Sequence, residues 1–259
     1  MQKIIVILLL FCSEVILSQV PERPQPQRLY NNLSTEQPNF LASQEATQLE
    51  TKLQNFSNET SNQICVVITD DLNGLSDEQY ATEIGQKWGV GKKDKNNGIV
   101  ILIKPTGGQG KRKLFIAIGY GLEGPIPDLT TKKIRDDLMY PYLKNKENFK
   151  ALDGAVTDLM RLAKGEINAK NYSPKKHFTS KQIFNIFIIL FVVIAFMYIM
   201  FSKDNRTYSK AGAGGFMGGF LGGSSFGNNN NNRSSGSSGS SWGGFGGGSF
   251  GGGGSGGDW

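Results

Sequence analysis

Residues 119–124 read Gly-Tyr-Gly-Leu-Glu-Gly, directly after the apolar run Lys113–Ile118. This is the spacing of a dinucleotide-binding turn, in which the third glycine opens a helix whose N-terminus holds a pyrophosphate. Here Gly124 precedes Pro-Ile-Pro, and a residue before proline is pushed to extended backbone. Glu123 would put a carboxylate where phosphate oxygens belong. No later strand ends in an acidic residue about 20 positions on, where the ribose contact is made. The residues therefore predict no bound nucleotide.

Other chemistry fits these residues better. If strands 63–69 and 98–104 are joined by a helix, they run parallel, and a third strand, 113–118, returns by a hairpin. The glycine loop then meets the loop Trp88–Gly98, "WGVGKKDKNNG", at one end of the sheet. Lys92, Lys93, Asp94, Asn97, Tyr120, Glu123 and Asp128 collect there, with Trp88, Lys92, Asp94, Asn97 and Tyr120 as candidate binding residues and Gly91, Gly98, Gly119 and Gly121 as structural glycines. Carboxylate and amide oxygens close together suit a hard cation, Ca²⁺ or Mg²⁺, with Glu123, Asp128 and Asp94 as candidate ligands. Carboxylates beside a lysine also suit phosphoester hydrolysis, with Asp128 and Glu123 as the catalytic pair and Lys92 steadying the phosphoryl oxygens. Simpler roles compete: Asp128 can cap the following helix, "KKDK" can be a solvated turn, and Asn97-Gly98 can be turn chemistry. Asp70-Asp71 falls at the opposite end of the sheet and reads as a loop approaching a helix.

The elements that must hold these loops are legible as patterns. Ala46, Leu49, Leu53 and Phe56 recur at helical spacing after Ser43. Ser76 with Gln79 is a capping-box pair, opening a helix with Tyr80, Ala81, Ile84 and Trp88 on its inner side. Gly89 and Gly91 end it. "LTTKKIRDDLMYPYL" predicts a helix bent or ended near Pro141. "NFKALDGAVTDLMRLAKGE" predicts another, closed at Gly165. Apolar strands with helices on both faces imply an α/β fold, an α-β-α sandwich.

The 259 residues hold more than this domain. Residues 1–18 read as a secretory signal peptide, and 19–39 as a proline-rich extended linker. The α/β domain is expected over 40–166 and a juxtamembrane linker over 167–182. Residues 183–201 form an apolar run suited to a transmembrane helix in the lipid bilayer. Residues 202–259 hold most of the 34 glycines and read as a disordered tail. With the signal removed, the domain is expected outside the cytoplasm, periplasmic, on a single-pass anchor in the cell membrane, with the tail in the cytoplasm. The net charge of +6 is too thin and dispersed for a nucleic-acid partner. Of two cysteines, Cys12 lies in the signal segment, leaving Cys65 without a disulfide partner. The lone His177 leaves no Cys–His or His-based metal chemistry.

The order of motifs resembles the TPM domain family, including its YgcG-like bacterial members. "ETSNQICVVIT", "YATEIGQKWGVGKKDKNNGIVILI" and "FIAIGYGLEGPIPD" carry the resemblance over roughly residues 22 to 165. The membrane-like run and the Gly/Ser/Phe tail extend it. It departs only at Thr106–Lys113, where glycines lengthen a hairpin turn. The resemblance implies a Rossmann-like sandwich with a mixed central sheet and an extracytoplasmic domain on one anchor. It implies an assembly or quality-control module for membrane or envelope proteins, with a divalent cation associated with the fold, or acid phosphatase activity, as linked to plant members. The positions it selects are Trp88, Gly91, Lys92, Asn97, Gly98, Gly119, Tyr120, Gly121, Glu123 and Asp128.

Overall fold

The computed structural model describes residues 20–174, 180–201 and 244–259. Residues 1–18, read as a signal peptide, and most of the tail, 202–243, lie outside them. Residues 20–174 with 244–259 belong to one unit, and the helix at 180–201 to another.

The first unit is a five-stranded sheet in the order β1 (Tyr30–Asn32), β2 (Gln63–Ile68), β3 (Gly98–Lys104), β4 (Lys113–Gly119), β5 (Phe250–Asp258). The first three strands are parallel, and β4 and β5 are each antiparallel to the strand before. The mixed α/β architecture is as expected, but two strands are additions. β1 arises within 19–39, which also buries Val20 and Leu29, so that segment is part of the fold and not an unpacked linker. β5 arises at the end of the tail expected to be disordered.

Alternation along β2–β4 feeds two cores. Ile64, Val66, Ile99, Ile101, Ile116 and Ile118 face α1 (Ser43–Thr60) and α5 (Asn148–Ala163), whose Leu49, Leu53, Leu152 and Leu159 are fully buried. Cys65, Val67, Val100, Leu102 and Ala117 face α2 (Asp77–Trp88), which contributes Tyr80, Ala81, Ile84 and Trp88. Side chains buried on both faces are what makes these strands read as unbroken apolar runs. The start of α2 follows the capping box: Ser76 Oγ accepts from Gln79 N at 3.1 Å, and Gln79 Oε1 accepts from Ser76 N at 3.2 Å.

The helix expected to bend or end near Pro141 is distorted just before it and does not end there. α3 (Asp128–Lys133) passes through a π turn, Ile134–Met139, into α4 (Tyr140–Lys144). Pro141 follows the π turn as the second residue of α4. The π turn widens the helix and carries Arg135, and Tyr140 follows it as the first residue of α4.

The second unit is α6 (Ser180–Phe201). The expected helix is present, and its described side chains are mostly apolar and exposed. Among the described residues no helix is long and apolar enough to cross a membrane. The expected span of 183–201 includes side chains outside that set.

Candidate functional site

The two glycine loops meet as their spacing predicts. Gly121 N donates to Asn96 O at 3.0 Å, and a side chain on Gly119 or Gly121 would strike the carbonyls of Lys95 and Asn96. Gly91, at φ 95°, packs on Gly98 closely enough that a Cβ would sit 2.5 Å from Gly98 N. The four glycines are thus where backbone crosses backbone.

Asn97 is a structural clasp rather than a ligand. It is buried, its Nδ2 donates to Ser61 O and Asn62 Oδ1, and its Oδ1 accepts from Lys92 N. Trp88 is likewise in the core, its indole N–H donating to Pro21 O at 3.0 Å. Asp94 is exposed on the turn between them.

The remaining expected residues face the tail. Residues 244–249 cross the 88–98 loop: Gly246 N donates to Gly91 O, Gly247 N to Gly89 O, and Ser249 N to Asn96 Oδ1. Lys92 forms a parallel bridge with Gly246. β5 then runs beside β4. Tyr120 lies against Gly251, Glu123 against Gly253, and Asp128 Oδ1 accepts from Gly254 N at 2.7 Å. Asp128 is the first residue of α3 and does not cap it through its side chain; its carboxylate serves the strand instead. Asp77 and Glu78, from the first turn of α2, flank Gly256 and Gly252. The expected ligands Glu123, Asp128 and Asp94 do not converge. Among the described residues no three His, Cys, Asp or Glu side chains are grouped to hold a metal ion, and Asp128 already spends one oxygen on an N–H.

Two aromatic residues anchor the strand. Phe250 is buried in the α2-side core. A Cβ on Gly85 would come within 2.5 Å of its ring, and one on Gly98 within 2.9 Å, so both glycines make its socket. Gln86 Nε2 holds Phe250 O at 3.1 Å. Trp259 is buried in the other core and stacks on Tyr140, with ring centres 5.9 Å apart. The Arg112 guanidinium lies over the Trp259 ring, 5.5 Å from its centre, and donates Nε–H to Trp259 O. Lys113 pairs with Asp258 at 2.7 Å. Arg135, buried and held by Asp136, donates to Gly256 O. Burial costs its charge, but the Asp136 carboxylate outweighs this and raises its pKa. Burial also pushes the Tyr140 phenol far above its ordinary value, despite Arg135 beside it. Tyr140 stays neutral, with Oη buried and no hydrogen-bond partner among the described residues.

Gly85, Asp77, Arg112, Arg135 and Tyr140 were missed as site residues because nothing in their local patterns marks them. The signal that could have found them is the pair Phe250 and Trp259, bracketing glycines at the chain end. What the arrangement can do is bind extended backbone: main-chain pairing supplies affinity, and the aromatic pockets supply register.

The sequence model of a family described as the TPM domain matches residues 34–162. No curated protein matches the chain. Among solved structures, the N-terminal domain of a protein from P. gingivalis is similar at 19% identity and a TM-score of 0.45, over 58% of this chain and 88% of its own. The N-terminal domain of a Corynebacterium glutamicum protein is similar at 14% identity and a TM-score of 0.38, over 62% of this chain and 95% of its own.

Proposed function

The chain belongs to the TPM domain family through residues 34–162, and from that premise we propose that it is a membrane-attached binding module for envelope or membrane proteins, working by strand addition at the β4 edge. The observation that carries this is the strand already there: β5 pairs along β4 from Lys113↔Asp258 to Gly119↔Phe250. The carboxylates that would serve hydrolysis lie along this strand, and Asp128 accepts one of its amides. Among the described residues no nucleophile beside a base accompanies them.

The membrane reading rests on the apolar run 183–201 and on the helix that contains it. The extracytoplasmic reading rests on the signal-like residues 1–18. Docked β5 adds a condition. A strand in the domain's sheet is on the domain's side of any membrane, and a single crossing by 183–201 would part the two. We therefore place the C-terminus on the extracytoplasmic side with the domain, in place of the cytoplasm, with 183–201 held in the bilayer. An epitope appended after Trp259 should be reached by antibody on intact spheroplasts. Access only after permeabilisation would reject this placement.

The test of function uses the full chain in detergent with Gly254→Val, which frees the β4 edge. A labelled peptide of residues 244–259 should bind it, and turnover of phosphoester substrates with Mg²⁺ or Ca²⁺ should be absent. Turnover abolished by Asp128→Asn with folding intact would replace the binding module with a hydrolase.

A further inference from the structure

The tail and the β4 edge are matched in a way that main-chain pairing alone does not require. Phe250 fits a socket that exists because residues 85 and 98 are glycine. Between the anchors, several positions are packed closely enough to favour glycine. Gly251 lies on the Tyr120 ring, Gly256 on Asp77 and Phe115, and a Cβ on Gly254, at φ 138°, would overlap the Ile116 carbonyl. At the end, Trp259 stacks on Tyr140 and has the Arg112 guanidinium over its ring. The groove therefore reads a specific sequence: phenylalanine, a glycine-rich stretch, and tryptophan nine positions on.

Nothing in these contacts identifies which copy of the chain supplies the strand. Every one lies between residues 244–259 and the domain. Residues 202–249 separate α6 from β5 and can span up to about 160 Å at full extension, several domain diameters, so the covalent link does not confine the strand to its own domain. Exchange of an identical element between copies keeps each contact and is a low-cost route to association.

We propose that the β4 groove accepts the C-terminal strand of a second copy of this chain, so that the tail links copies by strand exchange. This rests on the strand-addition reading above and names its partner.

Two full-length variants separate donor from acceptor. Gly85→Leu fills the Phe250 socket; the three atoms nearest its Cβ all belong to that ring, so the substitution excludes a strand while leaving the tail free. Gly254→Val disables the tail while leaving the groove free. Each variant alone in detergent should show only baseline association by native mass spectrometry. Their mixture should give a 1:1 heterodimer, which an excess of the 244–259 peptide dissociates. The peptide should bind the Gly254→Val chain at least about tenfold tighter than the wild type, whose own tail competes. A mixture that stays at baseline while the peptide still binds overturns the exchange and spares the strand-addition reading. Failure of the peptide to bind a folded Gly254→Val chain overturns both.

Discussion

The two edges of the sheet, both paired through the main chain, differ in their length and in what flanks them. β1 has three residues and is fixed by carboxylates: Glu50 accepts from Leu29 N and Tyr30 N, and Asp70 accepts from Ser34 Oγ, Thr35 N and Glu36 N. β5 has nine residues and is fixed by main-chain pairing and by aromatic anchors at its two ends. Charge-assisted contacts from fixed side chains make the β1 edge a permanent seam. At the β5 edge, backbone pairing is combined with close packing that several glycines permit, which is the basis of the strand-addition proposal.

The largest effect that would break this contrast is at the Phe250 socket. Phe250→Ala removes a ring that is 4% exposed and should weaken β5 docking by about 3–5 kcal/mol, seen as detachment of the strand while β1–β4 stay folded. Cooperative loss of the whole sheet instead would make β5 an ordinary core strand. Trp259→Ala comes next, at roughly 2–3 kcal/mol, because it surrenders the stack on Tyr140 and part of a buried surface. Its effect should appear as faster exchange of amides near residue 258, before those near 250. On the other edge, Glu50→Ala strands two amides and should lower global stability by about 1–3 kcal/mol. It should leave peptide binding at β4 unchanged; a change there would couple the two edges.

The smallest effect is a pH dependence confined to the β1 edge. Burial works against the Asp70 charge, but hydrogen bonds from Ser34, Glu36 and Thr35 outweigh it and hold its pKa below the ordinary 3.8. A lowered carboxylate pKa contributes stability that is complete above the unfolded value and lost as pH falls through the folded one. Asp70→Asn should therefore destabilise the chain slightly at neutral pH, with the difference from wild type closing below about pH 3.8. β5 docking should show no such step attributable to Asp70.

The central strands and their helices were legible because burial on two faces writes unbroken apolar runs, and capping writes Ser76 and Gln79. The meeting of the two glycine loops followed from strand order alone. β1 was hidden because three residues in a polar, proline-rich segment carry no periodicity, and their partners Glu50 and Asp70 are distant in sequence. β5 was hidden for a different reason. Glycine has low strand propensity and no side chain to report a buried face, so the segment looks like a chain that cannot pay for its own ordering. Its ordering is supported by the groove. Tyr120, Glu123 and Asp128, grouped by sequence as candidates for a cation or phosphate site, lie along this strand in the fold. Asn97 and Trp88 are buried and tie their loop to Ser61, Asn62 and Pro21.

Hydrogen exchange on the full-length wild-type chain tests most directly whether the tail is part of the sheet. The amides of residues 251–258 should be protected to nearly the same degree as their partners in β4, with Gly254 N, bound to Asp128, among the slowest, and Gly254→Val should abolish that protection. Exchange of 251–258 at the rate of an unstructured chain, with β2–β4 protected, would contradict the account.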